Sequence, residues 1–267
     1  MDLMELLSNV SVINKDNQKK FTVTDRLEVI TNLLWDTKYR RINADGLFHL
    51  YAKQPLVELK KKDVFVVSTH VDCERNITKC FSEDIGDGML RGTYDNSLTN
   101  TSILSLLLSD SLPDNVLVAF TGDEEETSEG ANHLIAFLRY HHLNVKQIFV
   151  LDVTDMGWNE MADFTVENDF WSDDCFGRRI ITTAEILPYC WRFVPSDPND
   201  VPEYVSSKNT IYEEAAEDES WNYDEEGFDC CSICIPIQGN MHSNHGVLAR
   251  KTSMYHYIEF LNELLNL

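Results

Sequence analysis

Three short runs decide what this chain can become. Residues 63–69 (DVFVVST), 115–121 (NVLVAFT) and 147–152 (QIFVLD) are nearly all apolar, without the in–out alternation of a strand that has one wet face. Strands of this kind need cover on both sides, as in a parallel sheet held between helices. Segments of helical length stand between them: 96–109, whose second half is largely apolar, and 128–141. Short buried strands alternating with helices of about 10–15 residues predict an α/β fold, a mostly parallel mixed sheet with helices on both faces. Helical spacing also marks 1–10 and 24–39, the latter after a Thr cap with Leu27, Ile30, Leu33 and Leu34 on one stripe. Residues 46–52 read as a strand, 230–237 (CCSICIPI) as a further buried run, and 252–265 as a closing helix.

Residues 157–229 break this rhythm. They hold most of the prolines, aromatic residues in polar settings, and a stretch, 179–192, that reads as a strand. From 213 to 229 the chain has nine acidic residues and no basic one. No repeat and no Gly/Ser/Pro linker sets this stretch apart, so residues 1–267 are expected to form a single domain, with 157–229 as an acidic excursion over one edge of the sheet.

Charge excludes several classes of function. The chain carries 22 basic and 45 acidic side chains, a formal net charge of −23. A nucleic-acid backbone requires clustered Lys and Arg to displace its counterions, and an anionic membrane surface makes a similar demand. Neither suits this chain as a partner. A hydrophobic share of 43% beside 25% charged residues argues against a disordered or fibrous chain. No run of about 18 apolar residues is present, so no membrane span is expected, and the opening MDLMELLSNVSVINKD lacks the pattern of a secretory signal. Seven cysteines, odd in number and unevenly spaced, suit a reduced, cytoplasmic protein, and the sequons at Asn9, Asn76 and Asn100 then read as chance matches.

The chemistry lies in where the polar residues fall. VFVVST runs into His70, VLVAFTGD into Glu124 and Glu125, and IFVLD ends at Asp152; Asp95 stands immediately before a helix, and His242 follows the fourth buried run. In an open parallel sheet, ligands gather at the carboxyl ends of the strands. Taken singly, each residue has an ordinary reading: a surface histidine, a helix cap, a pair of solvated glutamates. Together they place N and O donors where such a fold would converge them, and a divalent cation is the usual way to hold neighbouring carboxylates together. The inventory matches a two-metal hydrolase, which needs a bridging carboxylate, His and carboxylate ligands on each metal, and a further carboxylate to move protons.

The segments STHVD, RGTYDNS, FTGDEEETSEGA, VLDVTD and GNMHS, in this order, resemble the zinc-dependent exopeptidases that include the di-zinc aminopeptidases and the aminoacylase/carboxypeptidase enzymes. The resemblance runs from about Val64 to the C-terminus and is thin across 157–229. It implies two divalent metal ions, most simply zinc. His70 would be a ligand of the first metal, with Asp72 orienting its ring. Asp95 would bridge, Asp152 would complete the first metal, and Glu125 and His242 the second. Glu124 would be the general base. A pair shifted by one, Glu125 and Glu126, stays open beside Glu124 and Glu125, and His245 rivals His242. Only 24 residues separate His70 from Asp95, short for the inserted domain of the large tetrahedral-assembly aminopeptidases, so the resemblance points to a compact aminopeptidase.

The expected substrate is a peptide or an acylated amino acid. A deacylase or amidase of the same architecture is the nearest alternative, followed by a non-catalytic acidic binding module and a mononuclear cyclising acyltransferase. The acidic stretch 213–229 offers carboxylates for a substrate ammonium group, against its ordinary reading as a solvated loop. Trp158, Trp221 and Tyr223 are candidates to line a side-chain pocket. Cys230, Cys231 and Cys234 lack a second C-x-x-C for a zinc–thiolate site and read as small buried thiols on a strand. Oligomeric state is not readable.

Overall fold

The computed structural model describes residues 1–44 and 46–266. In chain order the elements are α1 (Leu3–Ser11), α2 (Val23–Leu33), β1 (Arg40–Ala44), β2 (Phe48–Ala52), α3 (Leu56–Leu59), β3 (Asp63–His70), β4 (Ser82–Gly86), β5 (Met89–Gly92) and α4 (Ser97–Leu108). Next come β6 (Val116–Thr121), α5 (Glu129–Tyr140), β7 (Asn144–Thr154), β8 (Phe164–Phe170), α6 (Asp174–Ile186), β9 (Trp191–Val194), α7 (Glu219–Glu225), β10 (Cys230–Gln238), β11 (Val247–Arg250) and α8 (Lys251–Leu265).

The sheet runs β1-β2-β6-β3-β7-β10-β11-β5-β4, with β8 paired to β10 and β9 to β8. Its centre, β6-β3-β7-β10, is parallel, and these are the apolar runs of the sequence. Antiparallel partners flank the centre, β2 on β6 and β8 on β10. Alternate strand residues turn to opposite faces, which is why both faces are apolar. Val64, Val66, Leu117, Ala119, Ile148 and Val150 pack with Leu134 and Leu138 of α5. Val67, Val118, Phe120, Phe149 and Leu151 pack with residues of α1, α2, α4 and α8 on the other face. The fold class is therefore the one expected.

One expectation is corrected. The stretch 179–192 is not one strand: α6 runs to Ile186, and only Trp191–Val194 is extended. Its β-branched residues mislead because Asp173 caps the helix by accepting from Cys175 N, and the buried Gly177, Ile180, Ile181 and Ala184 form one helical stripe. Residues 157–229 are tied to the body of the fold at β8. They contribute β8 to the sheet, and Phe164 at its start stacks on Phe260 of α8 with ring centroids 4.1 Å apart.

Helix α4 is buried nearly all round, as its apolar half implies. Its polar residues are accounted for locally: Asn100 Nδ2 donates to the carbonyls of His70, 2.8 Å, and Asn96, 2.7 Å. Asn100 thereby ties the end of β3 to the helix. It is fully buried, in keeping with a chance sequon.

Candidate metal centre

The carboxyl ends of the parallel strands deliver the donors. His70 is the last residue of β3, and Asp152 lies near the end of β7. Asp95 immediately precedes α4 and is not its cap; Asn96 occupies the N-cap position, its side chain donating to Leu151 O at 2.7 Å, and the Asp95–Asn96 peptide is cis. After β6 the chain folds back on itself through Asp123 and Ser128, both at positive φ, and Gly130 N donates to Gly122 O. A Cβ at Gly130 would lie 2.4 Å from Gly122 O, so only glycine permits this return, which holds Glu124 and Glu125 at the sheet edge.

Asp95 faces both histidines. Its Oδ1 is 3.1 Å from His70 Nε2, and its Oδ2 is 3.6 Å from His242 Nε2. His70 Nε2 is also 3.5 Å from Asp152 Oδ1, and His242 Nε2 is 3.4 Å from Glu125 Oε2. Two donor triads sharing one carboxylate are thus assembled. Donor atoms of His70, Asp95 and Glu125 all lie within 4.8 Å of one another. Asp72 supports both: Oδ1 lies 3.2 Å from His70 Nδ1, and Oδ2 accepts from Glu125 N at 3.2 Å. A carboxylate can only accept there, so Nδ1–H donates to Asp72 and Nε2 is left to face the other carboxylates.

These groups line a cavity of about 350 Å³. Its wall includes Asp95, Glu124, Glu125, Glu126, Asp152, Asp155, Glu167, Glu217 and Asp218, and among the described residues no Lys or Arg lines it. Burial pushes the Glu124 carboxyl up to about 9, with Asp152 and Asp95 adding repulsion that His70 only partly offsets. Burial likewise raises Glu125 to about 7 and Asp152 to about 6. Asp95 moves the other way. Burial opposes its charge, but hydrogen bonds from His242 and His70 hold it below the ordinary carboxylate range. Two imidazoles cannot neutralise so many sheltered carboxylates. Glu125 Oε1 is buried without a hydrogen-bond partner, a position that a cation would satisfy. The donor set of imidazole nitrogens and carboxylate oxygens fits zinc or a similar divalent ion.

The open alternatives separate by position. Glu126 pairs with Arg75 instead of entering either triad, and His245 is exposed and outside the cavity wall. Of the candidate pocket aromatics, Tyr223 is fully buried and hydrogen-bonded to Ser68 Oγ at 2.8 Å, and Trp158 lies beneath the Arg250 guanidinium. Trp221 lines a neighbouring cavity that shares Glu124, Glu217 and Asp218 with this one. Glu167 was not singled out from the sequence: nothing marks one acid among 45 except the strand β8 that carries it. Asp218 and Glu219, within the acidic stretch, are sheltered groups and not part of a solvated loop.

No protein-family model matches the chain, and no curated protein matches it in sequence. Solved structures match its fold. The TET aminopeptidase from the marine sediment archaeon Thaumarchaeota archaeon SCGC AB-539-E09 has a TM-score of 0.72 at 10% identity, over 98% of this chain and 96% of that one. The Pyrococcus horikoshii TET1 peptidase, which can assemble into a tetrahedron or a large octahedral shell, has a TM-score of 0.71 at 10% identity over 99% of both chains. Aminopeptidase APDkam598 from Desulfurococcus kamchatkensis has a TM-score of 0.68 at 10% identity, over 98% of this chain and 94% of that one. The short interval between His70 and Asp95 does not prevent these matches along nearly whole TET chains. The chain therefore shares its fold with these peptidase structures.

Proposed function

We propose that the protein is a metal-dependent aminopeptidase, releasing N-terminal residues from peptides. The observation that carries this reading is the placement of Asp95 between two imidazoles, one oxygen toward each. His70, Asp95 and Asp152 would hold one divalent ion, and Asp95, Glu125 and His242 the other, with zinc favoured by the donor set. Bound there, such ions supply Lewis acidity, polarising the scissile carbonyl and lowering the pKa of water toward about 7. Glu124 takes the proton from the attacking water and returns it to the leaving amine. Burial raises the Glu124 carboxyl, and cations held by the neighbouring triads would bring it back toward neutrality, where such a base works. Asp72 keeps the His70 ring in one orientation. The wall formed by Glu167, Glu217 and Asp218 attracts a free ammonium group, which favours an unblocked N-terminus over an acylated one.

The test combines metal analysis with two substrates. Purified protein is expected to hold two equivalents of zinc or cobalt and to hydrolyse free aminoacyl amides faster than their N-acetylated counterparts. Preference for the acetylated substrate would make it a deacylase, and retention of no metal would defeat the catalytic reading.

A further inference from the structure

Beyond Asp72 the chain reaches Cys73, whose thiol donates to the backbone carbonyl of Asp95 at 3.8 Å. Cys80 lies seven residues further along the same loop. Both cysteines are free and buried in a small cluster with Phe21 and Ile77. Arg26 is wholly buried beside them, its guanidinium 4.0 Å from the centre of the Phe21 ring, and none of its three nitrogens has a hydrogen-bond partner. A buried cation without an acceptor is costly, and its charge favours the thiolate form of both Cys73 and Cys80. The neighbouring Cys73 thiol and the Arg26 charge pull the Cys80 thiol down to about 6 against its burial. The other buried cysteines give the contrast: Cys230, Cys231 and Cys234 feel no such cation, and burial pushes their thiols up.

We propose that Cys73 and Cys80 are an oxidisable dithiol, closed to a disulfide by a hydroperoxide, and that closure loosens the adjacent metal centre through Asp72 and Asp95. The Cys80 thiolate attacks one peroxide oxygen; the O–O bond breaks, leaving a sulfenic acid on Cys80 and a hydroxide that takes up a proton. Cys73 then attacks the Cys80 sulfur; the S–S bond forms, the S–O bond breaks, and the departing hydroxide takes the Cys73 proton and leaves as water. In sum, two thiols and one hydrogen peroxide become one disulfide and two waters. The reaction removes the Cys73 S–H that supports the Asp95 carbonyl and tightens the 73–80 loop next to Asp72. The coupling to the metal centre rests on the function proposed above; the disulfide itself does not.

The full-length reduced protein, loaded with zinc, is treated with up to one equivalent of hydrogen peroxide, then denatured, alkylated and mapped by mass. The peptides containing Cys73 and Cys80 are expected to appear joined, two hydrogens lighter than their sum, while Cys230, Cys231 and Cys234 remain alkylated. Cys80→Ser abolishes the bridge, and Cys73→Ser leaves a sulfenic acid on Cys80 that dimedone captures; the wild-type map decides the matter even where a variant fails to fold. Both thiols staying alkylatable while the exposed Cys175 oxidises overturns the proposal. For the coupling, zinc loss to a weak chelator is expected to quicken at least threefold on oxidation and to return to its starting rate with dithiothreitol. Equal rates overturn the coupling, and a reduced protein that holds no zinc sinks the metal reading with it, the peptide map still deciding the dithiol.

Discussion

Two walls of the same cavity treat their carboxylates differently. At the ends of β3, β6, β7 and β10 and just ahead of α4, the carboxylates of Asp95, Glu125 and Asp152 lie 3.1–3.6 Å from imidazole nitrogens, Asp95 reaching both rings. On the facing wall, from β8 and α7, the acids are held by hydroxyls and backbone. Thr165 Oγ1 donates to Glu167 at 2.5 Å, and Ser220 N to Asp218 at 2.8 Å. The first wall leaves donors aimed at a shared centre, as a cation requires. The second gives Glu167 and Asp218 separate partners, so these two face the cavity without a common centre between them. Negative charge alone therefore does not make a metal site; convergence of donors does.

That contrast can be broken or sharpened by experiment, most strongly on the first wall. We expect Glu124→Gln to lower turnover by about 10²–10⁴ while leaving bound metal unchanged; wild-type turnover would remove Glu124 from its role. The second wall hangs on β8, and Phe164→Ala should cost about 3–5 kcal/mol in chemical denaturation, because it deletes a buried ring stacked on Phe260. A cost under about 1 kcal/mol would instead make 157–229 a loose appendage. Glu167 gives a dependence on pH. Burial raises its carboxyl from 4.5 to about 7, so the fold prefers the neutral acid. Its contribution is full below pH 4.5 and is lost as pH rises to about 7, where the penalty reaches about 2–3 kcal/mol. Glu167→Gln should flatten that fall, measured as denaturation midpoints of the metal-free protein at pH 5 and pH 7.5. The smallest effect is expected at the periphery: Arg91→Ala removes a 2.8 Å pair with Glu83 whose side chains are both 49% exposed, and should change stability by less than about 0.5 kcal/mol.

Much of the first wall is legible in the sequence, and most of the second is not. His70, Asp152 and the Glu124–Glu125 pair stand where apolar runs stop, and a parallel sheet brings such endings together. Glu167 has no such marker, because it sits inside a short strand of mixed character. The run 179–192 misleads for a related reason. Isoleucines and threonines favour strands, yet the Asp173 cap and the stripe of Ile180, Ile181 and Ala184 made a helix against α8.

The order of apolar runs and the donors at their ends were written in the chain itself, since burying both faces of a strand and closing it with a polar residue are local demands. Only the folded arrangement decided that Asp95 would reach two imidazoles, that Glu126 would turn to Arg75, and that acids from a distant stretch would complete the cavity. What a carboxylate does depends on which charges and hydroxyls surround it once water is excluded, and those neighbours come from residues far apart in sequence.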